Sequence, residues 1–67
     1  MVDCKGTKIY HGSKVRFIDD DMGLDFVGRL YRTFISDGLV LALDIPNSNT
    51  KLVFEDDGTP CFQLTRI

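Results

Sequence analysis

The feature that most constrains this chain is the spacing of its apolar residues. They occur in short runs at every second position, broken about every eight to twelve residues by clusters of Gly, Asp or Asn. Such a pattern builds short antiparallel strands and leaves no room for a substantial helix. Val15 and Phe17 alternate with Lys14 and Arg16, which places the first pair inward and the second outward. Leu39-Val40-Leu41-Ala42-Leu43 is the most apolar run. Asp37-Gly38 before it and Pro46 after it bound it as a buried strand rather than a helix.

The punctuation between these runs has turn chemistry. His11-Gly12-Ser13, Asp19 to Gly23, Ser36-Asp37-Gly38, Pro46 to Asn49 and Glu55 to Gly58 read as turns or loops. Asp57-Gly58 suits a hairpin turn that needs positive φ. Strands are expected around Val15 and Phe17, over Phe26–Phe34, over Leu39–Leu43, over Lys51–Phe54 and over Cys61–Ile67, with Lys8–Tyr10 as a further short extended segment. In the second strand Phe26, Gly28, Leu30 and Phe34 share one face; Val27, Arg29, Tyr31 and Thr33 share the other. Gly28 inside that pattern predicts a bulge or sharp bend. Phe62 and Leu64 are expected on one face of the last strand.

With 67 residues, one domain covering 1–67 is the expected organisation. A chain of this size hides only about 60% of its unfolded surface, so the core must be compact. The expected fold is all-β: a small five-stranded antiparallel SH3-like barrel, since curling the sheet shut also removes exposed edges. Self-association into a homo-oligomer is a second way to cover apolar surface.

Charge narrows the function. The formal net charge is −2, whereas duplex-binding modules usually carry a basic excess. Nucleic acid is therefore disfavoured as a partner and a protein partner is expected. No stretch approaches the roughly 20 apolar residues of a membrane span, and the first residues lack the regions of a signal peptide. A cytoplasmic location is expected, with Cys4 and Cys61 as reduced thiols rather than a disulfide.

The candidate surfaces follow from the charges. Asp19, Asp20, Asp21 and Asp25 in one region and Glu55, Asp56 and Asp57 in another form a negative patch if the two loops meet. Such a patch steers a basic partner or mimics nucleic-acid charge, as an inhibitor of a nucleic-acid enzyme does. Arg29, Tyr31 and Arg32 resemble a fragment of the aromatic and basic design of single-strand binders, which makes a nucleic-acid-binding barrel the alternative. The acidic spacing is not that of an EF-hand loop. Cys4, His11 and Cys61 lack the close spacing of zinc ligands. One histidine and no candidate triad argue against nucleophilic catalysis. No metal, cofactor or catalytic residue is expected, and the chain is read as non-enzymatic.

Lys8-Ile9-Tyr10, Gly12 and Val15, within Asp3–Val15, match a pattern in which a polar lead-in, a glycine and a basic residue precede Ile-Tyr-x-Gly-x-x-Val. The segment resembles the opening of small phage and prophage proteins of the YopX type. His11 stands where an acidic residue is usual there. The resemblance implies an all-β protein of phage or mobile-element origin and transfers no catalytic residue. In architecture the chain is also similar to the plasmid-encoded type II dihydrofolate reductases, small SH3-like barrels whose site lies in a pore between subunits. Their pore-lining Val-Gln-Ile-Tyr stretch is absent here. That likeness is one of architecture, since fold does not carry function; an oligomeric enzyme with its site at a subunit interface is a separate alternative.

Overall fold

The computed structural model describes residues 1–67. It contains β1 (Lys14–Asp19), β2 (Leu24–Arg29), β3 (Tyr31–Ile35), β4 (Gly38–Asp44), β5 (Lys51–Phe54) and β6 (Leu64–Arg66), and no helix. The all-β expectation holds. No helix is long and apolar enough to cross a membrane.

The strands form two three-stranded antiparallel sheets, β2-β1-β6 and β3-β4-β5. Five expected strands become six because the Phe26–Phe34 segment divides at Leu30. Its first half pairs with β1 and its second half with β4. At the junction the Leu30 N–H donates to the Ser13 carbonyl at 3.0 Å, and the Leu30 carbonyl accepts from the Gly12 N–H at 2.7 Å. The His11–Ser13 turn thus satisfies the backbone where one partner strand ends and the next begins.

Gly28 is not the bend. It keeps its place opposite Val15 in an unbroken ladder. Its missing side chain serves packing between strands of the two sheets: a Cβ there would stand 3.0 Å from Leu43 Cδ1 on β4.

Alternation then explains the core. Val15 and Phe17 of β1, Leu41 and Leu43 of β4, Leu64 of β6, Leu30 and Ile9 make one buried cluster. Phe17 sits between Phe26 and Phe54, with ring centroids 5.6 and 6.2 Å away. One ring therefore touches both sheets, and burying it stabilises the fold by about 1.5–3 kcal/mol.

Outside the strands, Asp3 anchors the N-terminal segment. It is 1% exposed and accepts from three backbone N–H groups: Lys5 and Thr7, each at 2.9 Å, and Arg66 at 2.8 Å. The Arg66 bond leads in holding its carboxyl below the usual carboxylate range, against the opposing effect of burial.

Three local expectations are corrected. Lys8–Tyr10 is not a strand; Lys8 makes one isolated bridge to Val2, while Ile9 drops into the core. The last strand covers only Leu64–Arg66, because the chain turns over residues 61–63 and the Leu64 N–H returns to the Cys61 carbonyl. Phe62 is consequently 81% exposed while Leu64 is fully buried. Phe34 keeps the expected face, opposite Leu39, yet is 79% exposed. Leu39 is 49% exposed beside it, so the far end of the β3–β4 hairpin lies outside the buried cluster.

Candidate docking cleft

The turn that expels Phe62 also makes a cleft. Val53, Phe54 and Glu55 from the end of β5, Asp57, and Thr59 to Gln63 line an opening of about 620 Å3, with Met1 alongside. Pro60 and Cys61 hold one wall through Val2: Pro60 bridges to it, and the Cys61 N–H donates to its carbonyl at 3.0 Å. Phe62 and the 42% exposed Val53 supply apolar surface there.

The carboxylates around this cleft are held by local bonds. Asp57 accepts from the Thr59 hydroxyl at 2.6 Å and the Thr59 N–H at 3.0 Å. Those bonds, the hydroxyl first, keep its carboxyl below the usual range. Asp19 accepts from the Asp21 and Met22 N–H groups at 3.0 and 3.3 Å and from Gln63 Nε2 at 2.9 Å. Gln63 itself lines the cleft. One side chain therefore joins the Asp19–Gly23 hairpin to the cleft that carries Glu55 and Asp57.

The seven candidate acids do not form one set. Asp19, Asp20, Asp21, Glu55 and Asp57 have no cationic partner. Asp25, opposite Ile18 on β2, is instead committed to a two-pronged pair with Arg16: Nε to Oδ1 at 2.9 Å and Nη2 to Oδ2 at 2.7 Å. Hydrogen bonding in that pair lowers the Asp25 pKa and raises that of Arg16. Asp56 is paired with the Met1 amine.

The Arg29, Tyr31 and Arg32 surface is divided. Tyr31 is half-buried opposite Ala42, and its hydroxyl donates to Asp44 Oδ1 at 2.6 Å. That bond raises the Tyr31 pKa. Arg29 Nη1 donates to the Gly12 carbonyl at 3.0 Å. Arg32 stands opposite the core residue Leu41, on the other face of the sheet from Tyr31. Its N–H donates to His11 Nδ1 at 3.0 Å, so the histidine secures the turn. Both cysteines are free thiols, with Cys4 Sγ 3.4 Å from Thr65 Oγ1. Cys4, His11 and Cys61 do not converge.

Sequence reasoning missed Phe62 and Gln63 as site residues. Pro60 was the available signal. A proline has no N–H to donate, so an extended ladder running straight on from it is disfavoured. Compared with family models, with curated proteins and with solved structures, the chain matches none.

Proposed function

We propose that this protein is a non-enzymatic binding module that docks a protein partner in the acidic cleft. The supporting observation is an exposed aromatic, Phe62, in a cleft that also carries Glu55 and Asp57 and is joined through Gln63 to Asp19. Aromatic anchors in pockets carry much of the binding energy at interfaces. Surrounding charges of one sign select partners and speed encounter. The matching partner presents an apolar side chain flanked by Lys or Arg. One form of this reading is an inhibitor whose carboxylates stand where phosphates bind a nucleic-acid enzyme. We read the scaffold as an SH3-like barrel, with the bent β2–β3 run shared between its two sheets.

The test is capture of partners from lysate by the native chain, by Phe62→Ser and by a chain carrying Asp19→Asn, Glu55→Gln and Asp57→Asn. Phe62→Ser should weaken capture by roughly thirtyfold, a loss typical of an interface hot spot. Its folding stability should stay within about 0.5 kcal/mol of the parent, as for other exposed positions. Equal recovery of the same proteins by all three chains removes the proposal.

A further inference from the structure

A second cleft, of about 400 Å3, lies at the opposite end of β1, where Lys14, Arg29 and Arg66 meet the turn that carries Tyr10 and His11. Lys14 and Arg29 are direct cross-strand partners on one face of the sheet. Arg66 pairs with Val15 and so starts from the opposite face; it joins the other two only in the lining of the cleft at the end of the sheet. The two ion pairs in the chain use Arg16 and the Met1 amine, so none of these three cations has a carboxylate partner. Asp3 reaches only the Arg66 backbone N–H, and its carboxylate already accepts three such bonds.

Like charges placed directly opposite each other on neighbouring strands destabilise a sheet. The Lys14–Arg29 pair therefore costs the fold stability that a bound anion restores. The acidic end of β1 does not supply that anion. Six residues of strand span roughly 17 Å, about twice the Debye length of roughly 8 Å at physiological ionic strength. Two neighbours add specificity. The Tyr10 ring is 54% exposed at the cleft. His11 accepts at Nδ1, so its neutral ring carries the proton on Nε2 and offers a donor.

We propose that this cleft binds the phosphate of a nucleotide unit, with the base against Tyr10. Lys14, Arg29 and Arg66 supply the charge. Cations beside an exposed aromatic ring are the combination that holds a phosphate together with an unstacked base. The site is separate from the acidic cleft, and partner capture through Phe62 does not bear on it.

The test is an NMR titration of the labelled full chain at low salt with inorganic phosphate, adenosine monophosphate, octathymidylate and a phosphoserine peptide. Amide shifts should move at residues 10–14, 29 and 66, with the nucleotide binding more tightly than inorganic phosphate. Tyr10→Ala should erase that advantage. Lys14→Gln and Arg66→Gln should each weaken both ligands by about two- to fivefold, the range of an exposed charge contact, while Lys51→Gln changes nothing. Arg29 also bonds the Gly12 carbonyl, so the other two cations carry the charge test. Tighter binding of octathymidylate than of adenosine monophosphate supports the site and identifies a strand as the source; the reverse supports it with a free nucleotide. No shifts at these residues, equal shifts in every variant, or a phosphoserine peptide that outbinds the nucleotide overturns the proposal.

Discussion

The two ends of β1 carry opposite charge, and they are built differently. At the Lys14 end the charges belong to ladder residues. Lys14 and Arg29 face each other across the ladder and Arg66 meets them at the end of the sheet, and none of the three is in an ion pair. At the Asp19 end the unpaired charges sit at or beyond strand ends: Asp19 closes β1, and Asp20, Asp21, Glu55 and Asp57 lie in the loops that follow the strands. Asp19 and Asp57 are fixed by bonds from N–H and hydroxyl groups two or three residues onward, and only Gln63 links the two loops. Charge on a ladder is positioned by the whole sheet and carries a repulsive cost. Charge on a turn is positioned locally and stays solvated. The basic end is therefore the one whose composition works against stability.

The largest test asks whether the two ends are one cooperative unit. Phe17 touches aromatic rings from both sheets, so Phe17→Ala should cost about 3–5 kcal/mol in urea unfolding. Signals from both ends should disappear in a single transition. Survival of one end alone would show that the sheets fold separately.

Acid unfolding sharpens the comparison at the basic end, where Asp3 ties the N-terminal segment to Arg66. The folded pKa of Asp3 lies below its ordinary value of 3.8. The unfolded chain therefore takes up this proton more readily than the folded one. The resulting stability is full above the unfolded value and is lost as pH falls through 3.8 toward the folded pKa. Asp3→Asn should lower stability at neutral pH and flatten the decline below pH 3.8, as measured by thermal melts across that range. An unchanged acid limb would remove Asp3 as a contributor.

The smallest effect isolates the charge cost itself. Lys14→Glu replaces a repulsive pair with an attractive one opposite Arg29 and should raise stability by about 0.2–1 kcal/mol. The same variant should lose phosphate binding. A decrease in stability would mean that Lys14 and Arg29 are not in conflict.

Much of this was legible along the chain. Val15 and Phe17 turn inward, Leu41 and Leu43 are buried, and Gly58 adopts the positive φ that Asp57-Gly58 implies. The hairpin expected at that turn does not form, because β5 pairs with β4 and β6 with β1 in the other sheet. The basic cleft was not legible. Lys14, Arg29 and Arg66 are far apart in sequence, and each reads as an ordinary outward charge until register sets Lys14 opposite Arg29 and the end of the sheet brings Arg66 into the same cleft. The acidic loops were visible as loops, but their link through Gln63 was hidden in a segment read as strand.

The sequence by itself determined which residues alternate and where the chain reverses, because side-chain period and turn chemistry act over a few neighbouring residues. Tertiary structure alone decided that the second strand divides at Leu30, that Phe34 and Phe62 stay exposed, and that three cations meet at one end of β1. Those outcomes depend on which strand lies opposite which and where burial ends, and such contacts join residues that no local pattern connects.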